Sequence, residues 1–289
     1  MANWVLGVVG GSGLYEIEGL RDKRWVKVET PWGEPSDELL VGTLGGVKLV
    51  FLPRHGRGHR LSPTDLNARA NIHALKSLGC TDVLSLSAVG SLREDLHPGT
   101  FVVVDQFIDR TFAREKSFFG PGLVAHVSMA DPVCPRLSSM AAQAARAVGA
   151  TVVEGGTYLV MEGPQFSTRA ESELYRAWGC AVIGMTNMPE AKLAREAELP
   201  YASVAMVTDY DCWHEEVGPV DVSQIIACLL DNAARAKALV GELAGRLTGP
   251  REASPIDTCL NDALITAPGA RDPLLAAKLS VVAGRALRR

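Results

Sequence analysis

The stretch Tyr201-Ala-Ser-Val-Ala-Met-Val207 runs directly into Thr208-Asp209-Tyr210-Asp211-Cys212-Trp213. Its first seven residues are apolar or small and read as a buried strand. Two acids then stand two residues apart at the carboxyl end. If the extended conformation continues, both carboxyl groups leave the same face. Open α/β sheets bind ligands at that edge. A pair of acids there can accept protons from an amino-substituted heterocycle, or donate one if a carboxyl stays protonated. A solvated turn at a strand end accommodates Asp equally well.

The pattern around this strand is an alternation. Strand-like runs are Trp4–Val9, Val47–Leu52, Val83–Ser87, Phe101–Phe107, Thr157–Glu162 and Ala181–Met185. Helical periodicity marks Ser62–Leu78, Arg136–Val148, Ser167–Trp178, Pro189–Ala197 and Val222–Arg246. The alternation predicts an α/β sheet core flanked by helices. No internal repeat or low-complexity linker interrupts it. Thr248–Pro273 is richer in Pro, Gly and Asp and predicts an extended connection to a last helix at about Leu274–Leu287.

A chain of 289 residues with 47% hydrophobic content can build one large α/β domain or two smaller ones. Its net charge of -4 offers no basic surface for a nucleic acid polymer or an anionic membrane. The six cysteines are scattered without a CxxC pair, which predicts a reduced, cytoplasmic protein without structural zinc. The N-terminus lacks the features of a secretory signal, and no 18-residue uncharged apolar stretch is present to span a membrane.

Several strand-end loops carry anion chemistry. Gly10-Gly11-Ser12-Gly13 follows the first strand, where backbone N–H groups and the Ser12 hydroxyl could meet a phosphate. It fits neither a dinucleotide fingerprint, because Glu16 stands at the third glycine position, nor a Walker loop, because no lysine follows Gly13. A tight strand-exit turn is the plainer reading. In Pro53-Arg54-His55-Gly56-Arg57-Gly58-His59, Arg54 could grip an oxyanion with two hydrogen bonds and His55 could donate another. His55 and His59 have a metal-like spacing, but the glycines between them disfavour a helix. Ser87, before Ala88-Val89-Gly90, could complete an anion cradle with Ser12 and Arg54. Phe166 follows a Gly-Pro turn and could stack on a planar base or pack in the core. Met185 could cover a sugar and Thr186 could bind a hydroxyl or phosphate; ordinary strand packing and an N-cap explain them too. No GxSxG elbow is present.

Eight segments occur in order: GVVGGSGLYE, TPWGEPSD, PRHGRGH, SAVGSLRED, DQFIDRT, EGPQFSTRAE, MTNMPEAKLARE and TDYDCW. Together they resemble the 5′-methylthioadenosine phosphorylases, trimeric members of the nucleoside phosphorylase family, from about residue 5 to 245. The resemblance implies a single α/β domain over 1–289 with a mixed, partly barrel-like central sheet flanked by helices, and a C-terminal extension at about 248–289. It implies cleavage of a nucleoside by inorganic phosphate, in purine and methionine salvage, without a metal or organic cofactor. Carried onto this sequence, Ser12, Arg54, His55, Ser87, Ala88 and Thr186 form the phosphate site. Animal members have threonine where Ser12 and Ser87 stand, so the hydroxyl is kept. Phe166 packs on adenine and Met185 on ribose, while Asp209 and Asp211 face the N7 and 6-amino edge. Val222 and Ile225, three apart on one helix face, line the methylthio pocket. His126 and Val282 reach the pocket of an adjacent subunit in a homotrimer.

Adenine leaves more easily once N7 is protonated. A free aspartic acid has a pKa of about 3.9, and burial or a second carboxylate raises it. Asp209 is therefore the expected general acid. An ionised Asp211 would repel a 6-oxo purine, which favours methylthioadenosine over methylthioinosine or inosine. A purine nucleoside phosphorylase preferring methylthioinosine or another purine nucleoside is the nearest alternative. A water-using nucleosidase and a binding module without chemistry are further ones.

Overall fold

The computed structural model describes residues 3–11, 13–214 and 222–288. Its central strand is β5, Asp82–Ser91. Strand β1, Val5–Gly10, pairs with it in parallel from Leu6↔Asp82 to Val9↔Ser85. β4, Val47–Pro53, lies parallel beyond β1, and the antiparallel β3, Leu39–Leu44, and β2, Arg21–Val26, continue to the edge. On its other side β5 takes β11, Tyr201–Asp209, in parallel.

The other strands nearly close a ring. Antiparallel to β11 runs β6, Thr100–Val104, which continues past Asp105 into β7, Gln106–Asp109. β8, Thr151–Glu154, and β9, Thr157–Val160, follow that bent ribbon in parallel. β10, Val182–Gly184, then pairs with β9 and, antiparallel, with the far end of β5 at Gly90 and Ser91. The path β5–β11–β6/β7–β8/β9–β10–β5 is the barrel-like part of a mixed sheet, and β1 to β4 extend from it.

The expected strands are present with altered ends. Phe101–Phe107 is broken at Asp105, whose carboxylate accepts from the Gly156 N–H at 2.9 Å where the neighbouring ribbon bends too. β2 escaped the sequence reading because Arg21-Asp-Lys-Arg24 are charged and exposed, as suits an edge strand. β3 and the four-residue β8 escaped it as well.

Helices cover the sheet: α1 Ala68–Ser77, α2 Pro135–Ala147, α3 Arg169–Ala177, α4 Glu190–Glu196 and α5 Val222–Arg246. α1 starts later than Ser62 because Asn67 caps it, accepting from the Ala70 N–H. α3 opens with a capping box between Thr168 and Glu171. α4 is buried at six of its seven positions, charged residues included. The last helix is two, α6 Pro273–Lys278 and α7 Ser280–Leu287. No described helix is long and apolar enough to cross a membrane.

Candidate functional site

The functional loops converge because β1, β4, β5 and β11 are parallel neighbours, so their carboxyl ends lie on one edge. Gly10 pairs with Pro53, and the Arg54 N–H donates to the Gly10 carbonyl at 2.9 Å. A side chain at Gly10 would overlap Leu14, so glycine admits that packing. Ser12 lies outside the described residues, as do the side chains of Val222 and Ile225.

Along β5, Ala88 is the one exposed position and Gly90 is half-exposed, with every other residue buried. Ala88 is therefore where β5 is open to solvent. Beside it the buried hydroxyl of Ser87 has no hydrogen-bond partner among the described residues.

Arg54 departs from expectation. It is 2% exposed, and its fork grips a protein carboxylate. Nε and Nη2 each donate to Glu190 at 3.0 Å, Nη2 also donates to Ser85 Oγ, and Nη1 donates to the Leu86 carbonyl. Four of five N–H groups are engaged, leaving one on Nη1 without a partner among the described residues. Tyr201 donates to the same Glu190 at 2.7 Å, and Ser85 donates to Asn187 Oδ1 at 2.9 Å. Arg54 and Glu190 thus form a neutral buried pair. His55 donates from Nδ1–H to the Leu61 carbonyl at 3.0 Å, so its neutral form presents Nε2 as an acceptor. Burial first, and the Arg54 charge second, lower its pKa to about 4. His55 therefore does not offer a donor to an anion at neutral pH unless the anion brings a proton. His59 stacks on it at 4.3 Å. Thr186 Oγ1 is 3.2 Å from the Tyr158 hydroxyl, for which Gly184 leaves room.

The acid turn is also not as expected. The extended conformation stops at Asp209, and Asp211 adopts a left-handed φ of 39° at the start of the 3₁₀ turn Asp211–Trp213. The two acids are instead joined by their backbone: the Asp211 N–H donates to Asp209 Oδ1 at 2.9 Å. Asp209 Oδ2 accepts from Thr208 Oγ1 at 2.7 Å. Gly90 lies under both, since a Cβ on it would sit 3.0 Å from Asp209 Oδ1 and 3.4 Å from the Asp211 Cβ. Asp211 is 5% exposed and its Oδ2 has no partner among the described residues. Burial raises the pKa of both carboxyls; Thr208 and the Asp211 N–H partly offset this at Asp209, while at Asp211 the nearby Ser172 hydroxyl opposes it and the Asp209 charge adds to it.

Phe166 is 59% exposed, so it is not a core residue. The carbonyl of its neighbour Ser167 accepts from Cys212 Sγ at 3.3 Å, which ties the Phe166 loop to the acid turn. Met185 packs against Gly163, where any Cβ would overlap its sulfur. A further group fastens these loops. Arg114 donates to the carbonyls of Met185 and Met188 at 2.8 and 2.7 Å and to Glu162 Oε1 at 2.9 Å. Glu162 also accepts from the Phe112 and Ala113 N–H groups and from Thr64, and its pKa falls to about 2 against the burial that opposes it.

His126 is not joined to this cluster by any hydrogen bond among the described residues. Its N–H donates to the Ala263 carbonyl, and the adjacent Ala125 bridges Leu264. Val282 does not fit its expected role: it is 2% exposed, packed in its own chain's core. A β-branched residue on a buried helix face has no free surface to offer a neighbour. The exposed apolar side chains beside His126 are Val124 and Ile265, 37% and 60% exposed.

Sequence reasoning missed Glu190, Ser85, Asn187, Arg114 and Glu162. No local signal marked them: α4 carries four charged residues in seven, and only the structure shows that Glu190, Arg195 and Glu196 are buried. Among the described residues, no group of three or more His, Cys, Asp or Glu is placed to hold a metal ion.

The family model described as the phosphorylase superfamily matches residues 5–244. S-methyl-5′-thioadenosine phosphorylase of Cereibacter sphaeroides is 65% identical over 286 residues, covering 98% of this chain and 99% of that protein. The Rhodospirillum rubrum protein of the same name is 59% identical, covering 98% and 97%. A crystal structure of methylthioadenosine phosphorylase from an antarctic soil metagenomic library superimposes with a TM-score of 0.92 at 45% identity, covering 98% and 99%. Methylthioadenosine phosphorylase from Schistosoma mansoni in complex with adenine gives 0.78 at 36%, covering 98% of each chain. This chain belongs to the phosphorylase superfamily and, within it, to the S-methyl-5′-thioadenosine phosphorylase family.

Proposed function

We propose that this enzyme is a pentosyltransferase that cleaves S-methyl-5′-thioadenosine with inorganic phosphate, releasing adenine and 5-methylthioribose 1-phosphate. The observation that carries it is a pair of buried oxygens without partners among the described residues, Ser87 Oγ on β5 and Asp211 Oδ2 in the 3₁₀ turn that follows the adjacent β11. Buried polar atoms are ordinarily hydrogen-bonded. A hydroxyl suited to an oxyanion within β5 and a carboxyl suited to an amino group just past the neighbouring β11 match the two halves of this reaction.

Phosphate lies among Ser12, Ser87, Ala88, Thr186, His55 and the remaining Nη1–H of Arg54. Because Arg54 is balanced by Glu190 and His55 is neutral, the cradle adds no net positive charge. The phosphate dianion keeps its charge for C1′, where an oxocarbenium-like cation develops. His55 Nε2 accepts a hydrogen bond from the P–OH of monohydrogen phosphate, which keeps its proton. On the opposite face, Asp209, whose carboxyl burial shifts toward its protonated form, passes a proton to N7, while Asp211 accepts from the 6-amino group. Oδ1 of Asp209 already takes the Asp211 N–H, so Oδ2 is the oxygen that turns from Thr208 to the base. Phe166 stacks on adenine, Met185 covers the ribose, and Val222 and Ile225 hold the methylthio group. General acid catalysis contributes about 10²–10⁴-fold, and fixing both reactants contributes much of the rest.

The reaction uses no metal or organic cofactor; phosphate is the co-substrate. The enzyme is a cytoplasmic homotrimer in which His126 reaches the neighbouring pocket. Its six unpaired cysteines suit a reducing compartment. The apolar companion of His126 is Ile265, which is exposed beside it, rather than Val282.

Product analysis with methylthioadenosine, with and without phosphate, tests the reading. Adenine and a ribose 1-phosphate should form only with phosphate. Phosphate-independent release of free methylthioribose would make the protein a nucleosidase, and preferential turnover of methylthioinosine would move it to the alternative specificity.

A further inference from the structure

The described buried face of α5 is apolar, with Ala236, Leu239, Val240 and Leu243 all buried, except for one residue. Asn232 is 0% exposed on that face, and its amide oxygen has no hydrogen-bond partner among the described residues. An apolar side chain would suit these surroundings better. Its amide nitrogen, by contrast, is engaged, for Nδ2 donates to the Val207 carbonyl at 3.0 Å.

Val207 marks the place where β11 loses its register. Pairing with β5 proceeds one residue for one residue up to Val207↔Val89 and resumes at Asp209↔Gly90, so Thr208 is an extra residue. Pairing with β6 has already ended at Met206↔Phe101. Such a bulge re-aims the side chain that follows it, and here that side chain is Asp209. Gly99 N–H and Cys228 Sγ also point at the Val207 carbonyl, at 2.9 and 3.5 Å. On the far side of the bulge, the Thr208 hydroxyl lies 3.2 Å from the Val89 carbonyl and 2.7 Å from Asp209 Oδ2.

We propose that Asn232 is a positioning residue for the reaction: its amide clamps the Val207 carbonyl, holds the bulge, and thereby sets where the Asp209 carboxyl meets the purine. A buried donor is kept on an apolar helix face because the carbonyl it serves stands two residues before the acid. This rests on the reading of Asp209 as the proton donor.

The test is a double-mutant cycle on the intact enzyme with methylthioadenosine and phosphate. Asn232→Ala and Asn232→Leu are each made alone and together with Asp209→Asn. In the wild-type background kcat should fall roughly 10–100-fold, with the phosphate KM within about twofold of wild type. In the Asp209→Asn background the same substitutions should change kcat less than about twofold, because the group they position has lost its proton. Equal losses in both backgrounds would show a merely structural role and overturn the proposal. So would wild-type kcat in a folded Asn232→Ala enzyme. Asn232→Gln, which retains the amide donor, should recover part of the loss, and it decides the matter if the apolar variants do not fold: a Gln variant with wild-type kcat supports the clamp and one as slow as Asp209→Asn overturns it. The reading of the site fails differently, through a wild-type enzyme that forms no phosphate-dependent product.

Discussion

Both carboxylate oxygens of Glu190 lie 3.0 Å from guanidinium nitrogens of Arg54, and the two side chains are buried together. Breaking such a pair strands a charge. Glu190→Gln should destabilise the fold by about 3–5 kcal/mol and raise the phosphate KM, since Arg54 is then free to turn. Thermal unfolding and phosphate titrations check both; an unchanged phosphate KM would detach Arg54 from the anion.

Asp209→Asn should keep the fold and lower kcat about 10²–10⁴-fold. The carboxamide still accepts the Asp211 N–H at Oδ1, so the turn persists. Steady-state turnover beside a melting curve decides it, and near-normal turnover would remove Asp209 from the chemistry.

Gly90→Ala should damage purine recognition. The added methyl would lie 3.0 Å from Asp209 Oδ1, 3.3 Å from Ile183 and 3.4 Å from the Asp211 Cβ. φ at Gly90 is not in the left-handed region, so the effect comes from crowding. We expect the KM for methylthioadenosine to rise by roughly tenfold or more while that for phosphate holds, a pattern read from paired titrations. Displacing a hydrogen-bonded acid by a fraction of an ångström is enough.

A half-buried histidine and a buried glutamate oppose one another between pH 4 and 7. His55 has a pKa near 4 in the fold against 6.5 in the unfolded chain, so the unfolded state binds more protons in that window and stability rises with pH. Burial pushes Glu196 up to about 7 from 4.5, so the native state binds more protons and stability falls as pH rises. Each contributes on the order of 3 kcal/mol across its window. Melting temperatures of His55→Gln should fall with pH relative to wild type, and those of Glu196→Gln should rise. Parallel profiles for the two variants would refute the opposition.

Ile265 and Val282 should separate by phenotype. In the proposed homotrimer, Ile265→Asp should weaken subunit association, seen by sedimentation, with the single chain still folded. Val282→Ala should lower stability by about 1–3 kcal/mol and leave assembly alone.

The α/β alternation was legible because the β5 and β11 runs, Val83–Ser87 and Tyr201–Val207, are apolar segments interrupted only by serines, whose burial needs no distant partner to be foreseen. β2 was not, since Arg21 to Arg24 are charged and only the neighbouring β3 makes them a strand. The strand-end loops were legible through their glycines and hydroxyls. Glu190 was invisible as a partner of Arg54, 136 residues away, and Val282 was named from the family resemblance, which does not say which elements of this chain cover that helix face.

By itself the sequence determined the α/β alternation of the main strands and helices, the acids at the end of β11 and just past it, and the glycine- and hydroxyl-bearing strand-end loops, because hydrophobic periodicity and local backbone chemistry act over a few residues. Only the tertiary structure decided that Arg54 is neutralised, that His55 presents a lone pair, and that a bulge and a left-handed turn aim Asp209 and Asp211. Those outcomes depend on burial and on hydrogen bonds between strands brought together by folding, where a charge or an unpaired amide is costly enough to select its partner.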